Sequence, residues 1–235
     1  MASSRRRGGI SRTVVVAVPS RARVPLASAA SGRRAAGILA RMTIPRLLAF
    51  AGSTREASLN KRLLRVAVAM AERSGATVTT LDLRDLPMPL YDGDLEASGG
   101  LPSNAKRFKE LMVAHQGLLI AAPEYNSSIT GVLKNAIDWA SRASPGEAPL
   151  AAFRDKTAGL LSASPGALGG LRGLVHLRAI LSSIEVLVIP EQFALSRAHE
   201  AFDDAGALKD PKQAASVQRV VDRLWSVTRR LAVAS

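Results

Sequence analysis

The sequence predicts an α/β domain, a doubly wound sandwich with a five-stranded parallel sheet of order 2-1-3-4-5 and helices on both faces. Three observations carry this. Short, near-continuous apolar runs recur from Arg46 onward, as strands covered on both faces require. Stretches with helical spacing of apolar residues alternate with those runs. Five strands are countable, which suits this order better than the six-stranded dinucleotide-binding order.

The elements follow in sequence. Leu47–Ala51 is a short apolar run ending at Gly52 and reads as the first strand. Asn60–Ser74 has apolar residues at 59, 63, 64, 67, 70 and 71, a helical spacing, and Gly75 closes it. Thr77–Leu83 is β-rich and reads as the second strand, followed by a polar, Pro-rich loop, LPMPLYDGDLEASGGLP. Ser103 or Asn104 caps a helix running to His115. Gly117–Ala122 is the third strand, broken by Pro123, and a helix spans Gly131 to about Arg142. Thr157–Leu161 is the fourth strand and Leu171–Ser183 a helix. Val186–Ile189 is the fifth strand, stopped by Pro190, and Pro211 opens a long C-terminal helix to about Val233.

Composition narrows the function classes. The chain has 235 residues, a formal net charge of +13 and no cysteine. A thiolate nucleophile, a disulfide scaffold and a cysteine metal site are therefore excluded, and a reducing, cytoplasmic compartment is expected. Nine of the 32 basic residues and none of the 19 acids lie in residues 1–45, so the remaining 190 residues carry a net charge of only +4. The high charge belongs to the N-terminal stretch, and no basic–aromatic interleaving marks a nucleic-acid groove. Residues 1–45 are expected to be a basic, disordered extension outside the folded domain, 46–235. Organelle targeting is the second reading, and Met42, just before the first strand, is a possible true start. Val14–Val18 is too short for a secretory core, and no run of eighteen apolar residues predicts a membrane span.

In such a sheet, ligands bind beyond the carboxyl ends of the strands, where the strand order reverses. That rule selects the loop after the first strand, Gly52-Ser53-Thr54-Arg55-Glu56-Ala57-Ser58-Leu59-Asn60, and the loop after the third, Pro123-Glu124-Tyr125-Asn126-Ser127-Ser128. The first runs into a helix N-terminus, offers hydroxyls and an arginine, and has the parts of a phosphate cradle. Helix capping by Ser58 with a solvated Arg55 reads the same residues equally well. No Gly-Lys-Ser/Thr follows, and only one of three fingerprint glycines is present, so a terminal monophosphate such as that of FMN fits better than a pyrophosphate. In the second loop, backbone donors and Tyr125 could meet a flat ring; plain turn chemistry explains Tyr125 and Asn126 as well. The loop after the fourth strand, Ser162–Gly170, has glycines that permit close backbone approach.

At these residues the body, from about Arg46 to Arg230, resembles the NAD(P)H-dependent FMN reductases, a flavodoxin-like family, and most of all its bacterial quinone and chromate reductase branch. The stretches that carry the resemblance are GSTREASLN, MPLYDGDLE, PEYNSSITGVLKNAIDWASR and SASPGALGGLR. It implies that Ser53, Arg55, Ser58 and Asn60, with Leu59 between the last two, hold the FMN phosphate. Pro123, Glu124, Tyr125 and Asn126 would hold the isoalloxazine, and Ser164 would line the flavin. It implies an enzyme whose flavin takes hydride from NAD(P)H and serves quinones or similar small acceptors, among them chromate, azo compounds or free flavin. A homodimer or homotetramer is implied too. Two departures stand out: the family often has Pro where Thr130 stands, and an aromatic at or beside Ser128.

Flavin chemistry needs no protein nucleophile and no metal. His115, His176 and His199 are scattered and expected to be structural, Lys134 and Asp138 to form a helix-surface ion pair, and Trp139 to be core or interface. Glu124 is expected to orient its loop, and Arg172 or Arg178 to be a weaker candidate for a pyridine-nucleotide phosphate. The rival readings are a non-enzymatic flavodoxin-type electron shuttle and a nucleic-acid binder using the arginine-rich stretch.

Overall fold

The computed structural model describes residues 46–232, so the expectations for residues 1–45 lie outside the described residues. Five strands form one parallel sheet: β1 (Arg46–Ala51), β2 (Thr77–Asp82), β3 (Gly117–Ala121), β6 (Thr157–Ala163) and β7 (Leu187–Leu195). Their spatial order is β2-β1-β3-β6-β7, the expected doubly wound order, with β4 (Glu124–Tyr125) and β5 (Ser128–Ile129) set apart as a small antiparallel hairpin. The helices are α1 (Leu59–Arg73), α2 (Gly93–Gly99), α3 (Ser103–Ala114), α4 (Gly131–Ala140), α5 (Leu171–Ser183) and α6 (Pro211–Ala232).

Strand side chains alternate between two cores, which is why the central strands carry apolar residues at every position. Leu47, Ala49, Leu119 and Leu161 pack with α1 and α6, where Leu63, Ala67, Val217, Val221 and Leu224 are buried. Leu48, Phe50, Leu118, Ile120 and Leu160 pack on the other face with Phe108 and Met112 of α3, Leu133 and Ile137 of α4, and Leu174 and Leu177 of α5. Phe50 and Phe108 meet edge to face with ring centroids 5.5 Å apart.

Four local expectations are corrected. The fifth strand does not stop at Pro190. It continues to Leu195 because β7 is an edge strand and a bulge lets the proline sit outside the ladder: Ala158 pairs with Val188, but Leu160 pairs with Gln192. Neither Ser103 nor Asn104 caps α3; Pro102 occupies that position without a side-chain bond, and the Asn104 amide donates to the Pro87 carbonyl at 2.8 Å. The Pro-rich loop contains α2, capped by Asp92 and burying none of its residues, so no apolar period announced it. The PEYN loop is a hairpin whose two-residue turn, Asn126-Ser127, has φ of 50° and 67°.

Candidate functional site

The three loops selected from the sequence leave the carboxyl ends of β1, β3 and β6, the three adjacent central strands. Two side chains, Thr130 and Asn60, fasten the first loop to its neighbours. Thr130 Oγ1 donates to the Gly52 carbonyl at 2.7 Å while accepting from Leu133 N at 3.3 Å, so one buried hydroxyl caps α4 and ties the second loop to the first. The Asn60 amide donates to the Ala163 carbonyl at 2.8 Å and accepts from Ala163 N at 2.9 Å, tying α1 to the end of β6. Gly52 is required where it stands, because a Cβ there would lie 2.9 Å from Leu133 Cδ2.

Within the first loop the expected phosphate residues divide. Arg55 is exposed, and its guanidinium has no partner among the described residues. Ser53 Oγ is buried and accepts from Arg55 N at 3.3 Å, and Ser58 Oγ caps α1 by accepting from Lys61 N at 3.4 Å. The backbone N–H groups of Leu59 and Asn60 lie in the first turn of α1, where the helix has no acceptor for them. The Leu59 side chain packs against the core. Asn60 can meet a ligand here through its backbone only, since its amide is committed to Ala163.

The second loop is anchored from α5. Glu124 Oε1 accepts from Arg172 Nε at 2.8 Å and Nη2 at 2.5 Å, and Oε2 accepts from Gly173 N at 3.1 Å. Burial pushes this carboxyl up, but the Arg172 and Gly173 bonds outweigh it and hold Glu124 below the usual glutamate range. Glu124 thus orients the loop. Arg172 serves that anchor, and Arg178 is held by Gln192 Oε1 and the Val188 and Pro190 carbonyls. The hairpin leaves Tyr125 53% exposed at its tip, while Pro123 is buried beneath it. His176 Nδ1 lies 2.9 Å from Ser128 Oγ, a second fastening of α5 to the hairpin.

The third loop is packed around glycines. Gly170 has φ +92°, and a Cβ there would fall 1.9 Å from Ser162 Oγ, which itself donates to the Ala122 carbonyl at 2.7 Å. Ser164 is half-buried, and its hydroxyl accepts from Gly166 N at 3.2 Å. The residues that sequence reasoning missed are those that fasten loops together. Thr130 and Ser162 each bond a partner distant in sequence, and the one local signal for the first is a threonine standing directly before the helix that opens at Gly131. The expected ion pair is present, with Lys134 Nζ 2.7 Å from Asp138 Oδ1, and Trp139 is fully buried, its Nε1 donating to the Pro89 carbonyl at 2.8 Å.

This donor set fits an FMN monophosphate: an unpartnered guanidinium, a hydroxyl-lined loop and two free N–H groups at a helix N-terminus, with an exposed tyrosine on the neighbouring hairpin. No helix among the described residues is long and apolar enough to cross a membrane.

Comparison with known proteins identifies the family. Residues 45–200 match the family model described as NADPH-dependent FMN reductase. The chain is 38% identical over 187 residues to an NAD(P)H-dependent FMN reductase of Pseudomonas aeruginosa, covering 79% of this chain and 96% of that one. It is 34% identical over 191 residues to an NADPH:quinone oxidoreductase of Arabidopsis thaliana, covering 79% and 93%. The structure of a flavoenzyme NAD(P)H:(acceptor) oxidoreductase from Paracoccus denitrificans superposes with a TM-score of 0.66 at 28% identity, over 80% of this chain and 98% of that one. With a flavodoxin-like sheet, three loops converging at its carboxyl end and a family match across most of the folded body, this chain belongs to the NADPH-dependent FMN reductase family.

Proposed function

We propose that this protein is an NAD(P)H-dependent, FMN-containing oxidoreductase that reduces quinones or similar small acceptors. The observation that carries the reading is the convergence of the loops after β1, β3 and β6 around the unpartnered Arg55 and the N-terminus of α1. Bound FMN supplies the redox chemistry, accepting hydride from the nicotinamide and passing electrons onward. The chain supplies position. Ser53, Arg55, Ser58 and the backbone of Leu59–Asn60 hold the phosphate, while the hairpin braced by Glu124 and Arg172 sets the place of the ring. Ser164 and its glycine-rich loop close the third side.

An acceptor of quinone type is supported by the names of the Arabidopsis relative, an NADPH:quinone oxidoreductase, and of one from Pseudomonas putida, a quinone reductase 36% identical over 177 residues. It is supported too by the exposure of Tyr125, which leaves the hairpin open to a flat acceptor. All these relatives are named as reductases or oxidoreductases, which favours an enzyme over an electron shuttle. A homodimer or homotetramer belongs to the same reading, supported by exposed Leu168, Leu171 and Val175 at the start of α5, beside the hairpin. So does a cytoplasmic location, which a chain without cysteine suits.

The test is the visible spectrum of the purified protein, followed by one addition of NADPH. A flavin spectrum that bleaches, with Arg55→Ala weakening FMN binding about tenfold or more, is the expected result. A colourless protein that takes up no FMN would overturn the assignment, beginning with the first loop.

A further inference from the structure

The two arginines suggested by the sequence for a pyridine-nucleotide phosphate are both engaged, Arg172 with Glu124 and Arg178 with Gln192 and two carbonyls. Two other guanidiniums at the carboxyl end of the sheet are held only loosely, Arg84 by the exposed Glu56 and Arg65 by the Lys61 carbonyl. A cavity of about 360 Å³ opens where β1 and β2 end, with a floor of Ala51, Leu64 and Leu81. Its rim carries three cations, Lys61, Arg65 and Arg84, against two carboxylates, Asp82 and Glu56.

Hydrogen bonding sorts these charges. Lys61 Nζ reaches Asp82 Oδ2 at 2.5 Å, and Arg84 N donates to Asp82 Oδ1 at 3.0 Å, so that carboxylate is neutralised within the wall. The Arg84 guanidinium meets only Glu56, at 3.5 Å, with side chains 56% and 89% exposed, a contact worth little in water. Arg65 makes one long bond from Nε to the Lys61 carbonyl at 3.4 Å, and its terminal nitrogens have no acceptor among the described residues. The cavity therefore offers an apolar floor, a compensated acid, the free terminal nitrogens of Arg65 and an Arg84 fork held only by a weak, exposed pair with Glu56.

We propose that this cavity receives the adenosine end of the pyridine nucleotide, and that Arg65 and Arg84 grip its 2′-phosphate. The inference rests on the reading of the chain as an NAD(P)H-dependent reductase and adds the residues that select NADPH over NADH. A planar guanidinium pairs with a phosphate dianion through two parallel bonds, and two of them discriminate strongly against a bare hydroxyl. The apolar floor suits the face of a purine, and the volume suits part of a ligand rather than a whole dinucleotide. Glu56 belongs to both the first loop and the cavity wall, so a nucleotide spanning the flavin cradle and the cavity stays on one end of the sheet.

The experiment is calorimetric titration of the FMN-loaded protein with adenosine 2′,5′-bisphosphate and, separately, with 5′-AMP. The bisphosphate is expected to bind at least tenfold tighter, and the double variant R65A/R84A to abolish that difference. Equal binding of the two nucleotides, or an unchanged preference in the variant, overturns the proposal. So does competition by inorganic phosphate at equal concentration, which would make this a general anion site. In turnover, the ratio of kcat/KM for NADPH to that for NADH is expected to fall about tenfold per arginine, through KM. If neither nucleotide is oxidised the reductase reading fails, whereas oxidation of both with an unmoved ratio defeats the cavity assignment alone.

Discussion

Gly170 shows how narrowly one position is specified. Its φ of +92° and the 1.9 Å approach of a notional Cβ to Ser162 Oγ leave no room for a side chain. Gly170→Ala is expected to destabilise the protein by about 3 kcal/mol in urea unfolding, combining backbone strain with overpacking. Gly166→Ala, whose Cβ would sit 3.6 Å from Ser164 Oγ, should stay within about 0.5 kcal/mol. At this scale the sequence does not disclose every contact. Asn60 reads as part of the proposed cradle, yet its amide bonds Ala163, 103 residues away, and no local pattern encodes a partner at that distance. Glu124 was read as an orienting group, and the structure supplies what it binds: Arg172 and the Gly173 N–H.

Among the elements, α4 and the hairpin before it depend on one hydroxyl. Thr130→Val would remove both the α4 cap and the bond to the Gly52 carbonyl. It is expected to cost about 2 kcal/mol, and to loosen FMN about tenfold in a fluorescence titration. Thr130→Ser keeps both bonds and should restore both readouts. Strands and long helices were legible because burial on two faces writes unbroken apolar runs and burial on one face writes a helical period. The hairpin was not, because two residues per strand are too few for a period, and α2 was not, because it buries nothing. β7 ran on past Pro190 because edge position and a bulge remove the need for that N–H.

For the whole molecule, the two ends of the sheet divide the work. The carboxyl end carries the loops, and the amino end is closed by buried polar groups. Lys156 donates to the His115 carbonyl at 2.6 Å, and His115 bonds the Leu111 carbonyl and Thr79 Oγ1 through its two ring nitrogens. Burial lowers Lys156 from 10.5 to about 8 and also lowers His115 below its ordinary 6.5. Both groups hold protons more tightly when unfolded, so stability rises with pH through each interval. The His115 contribution declines as pH falls below 6.5, and the Lys156 penalty lifts between about 8 and 10.5. Urea midpoints taken across this range should climb, and Lys156→Met should flatten the slope between 8 and 10.5 while the acid limb, set chiefly by the burial of His115 and only in small part by the Lys156 charge, persists in weakened form.

The clasp between Asn60 and Ala163 also has a temporal meaning. A nascent chain leaving the ribosome can form β1, α1 and β2 early, but the acceptor and donor that fix α1 against β6 emerge about a hundred residues later. A fragment made from the N-terminal half lacks the β3 and β6 loops of the proposed site. On that proposal, flavin capture reports that synthesis and folding have passed β6, and the ligand stabilises only chains that have reached that point.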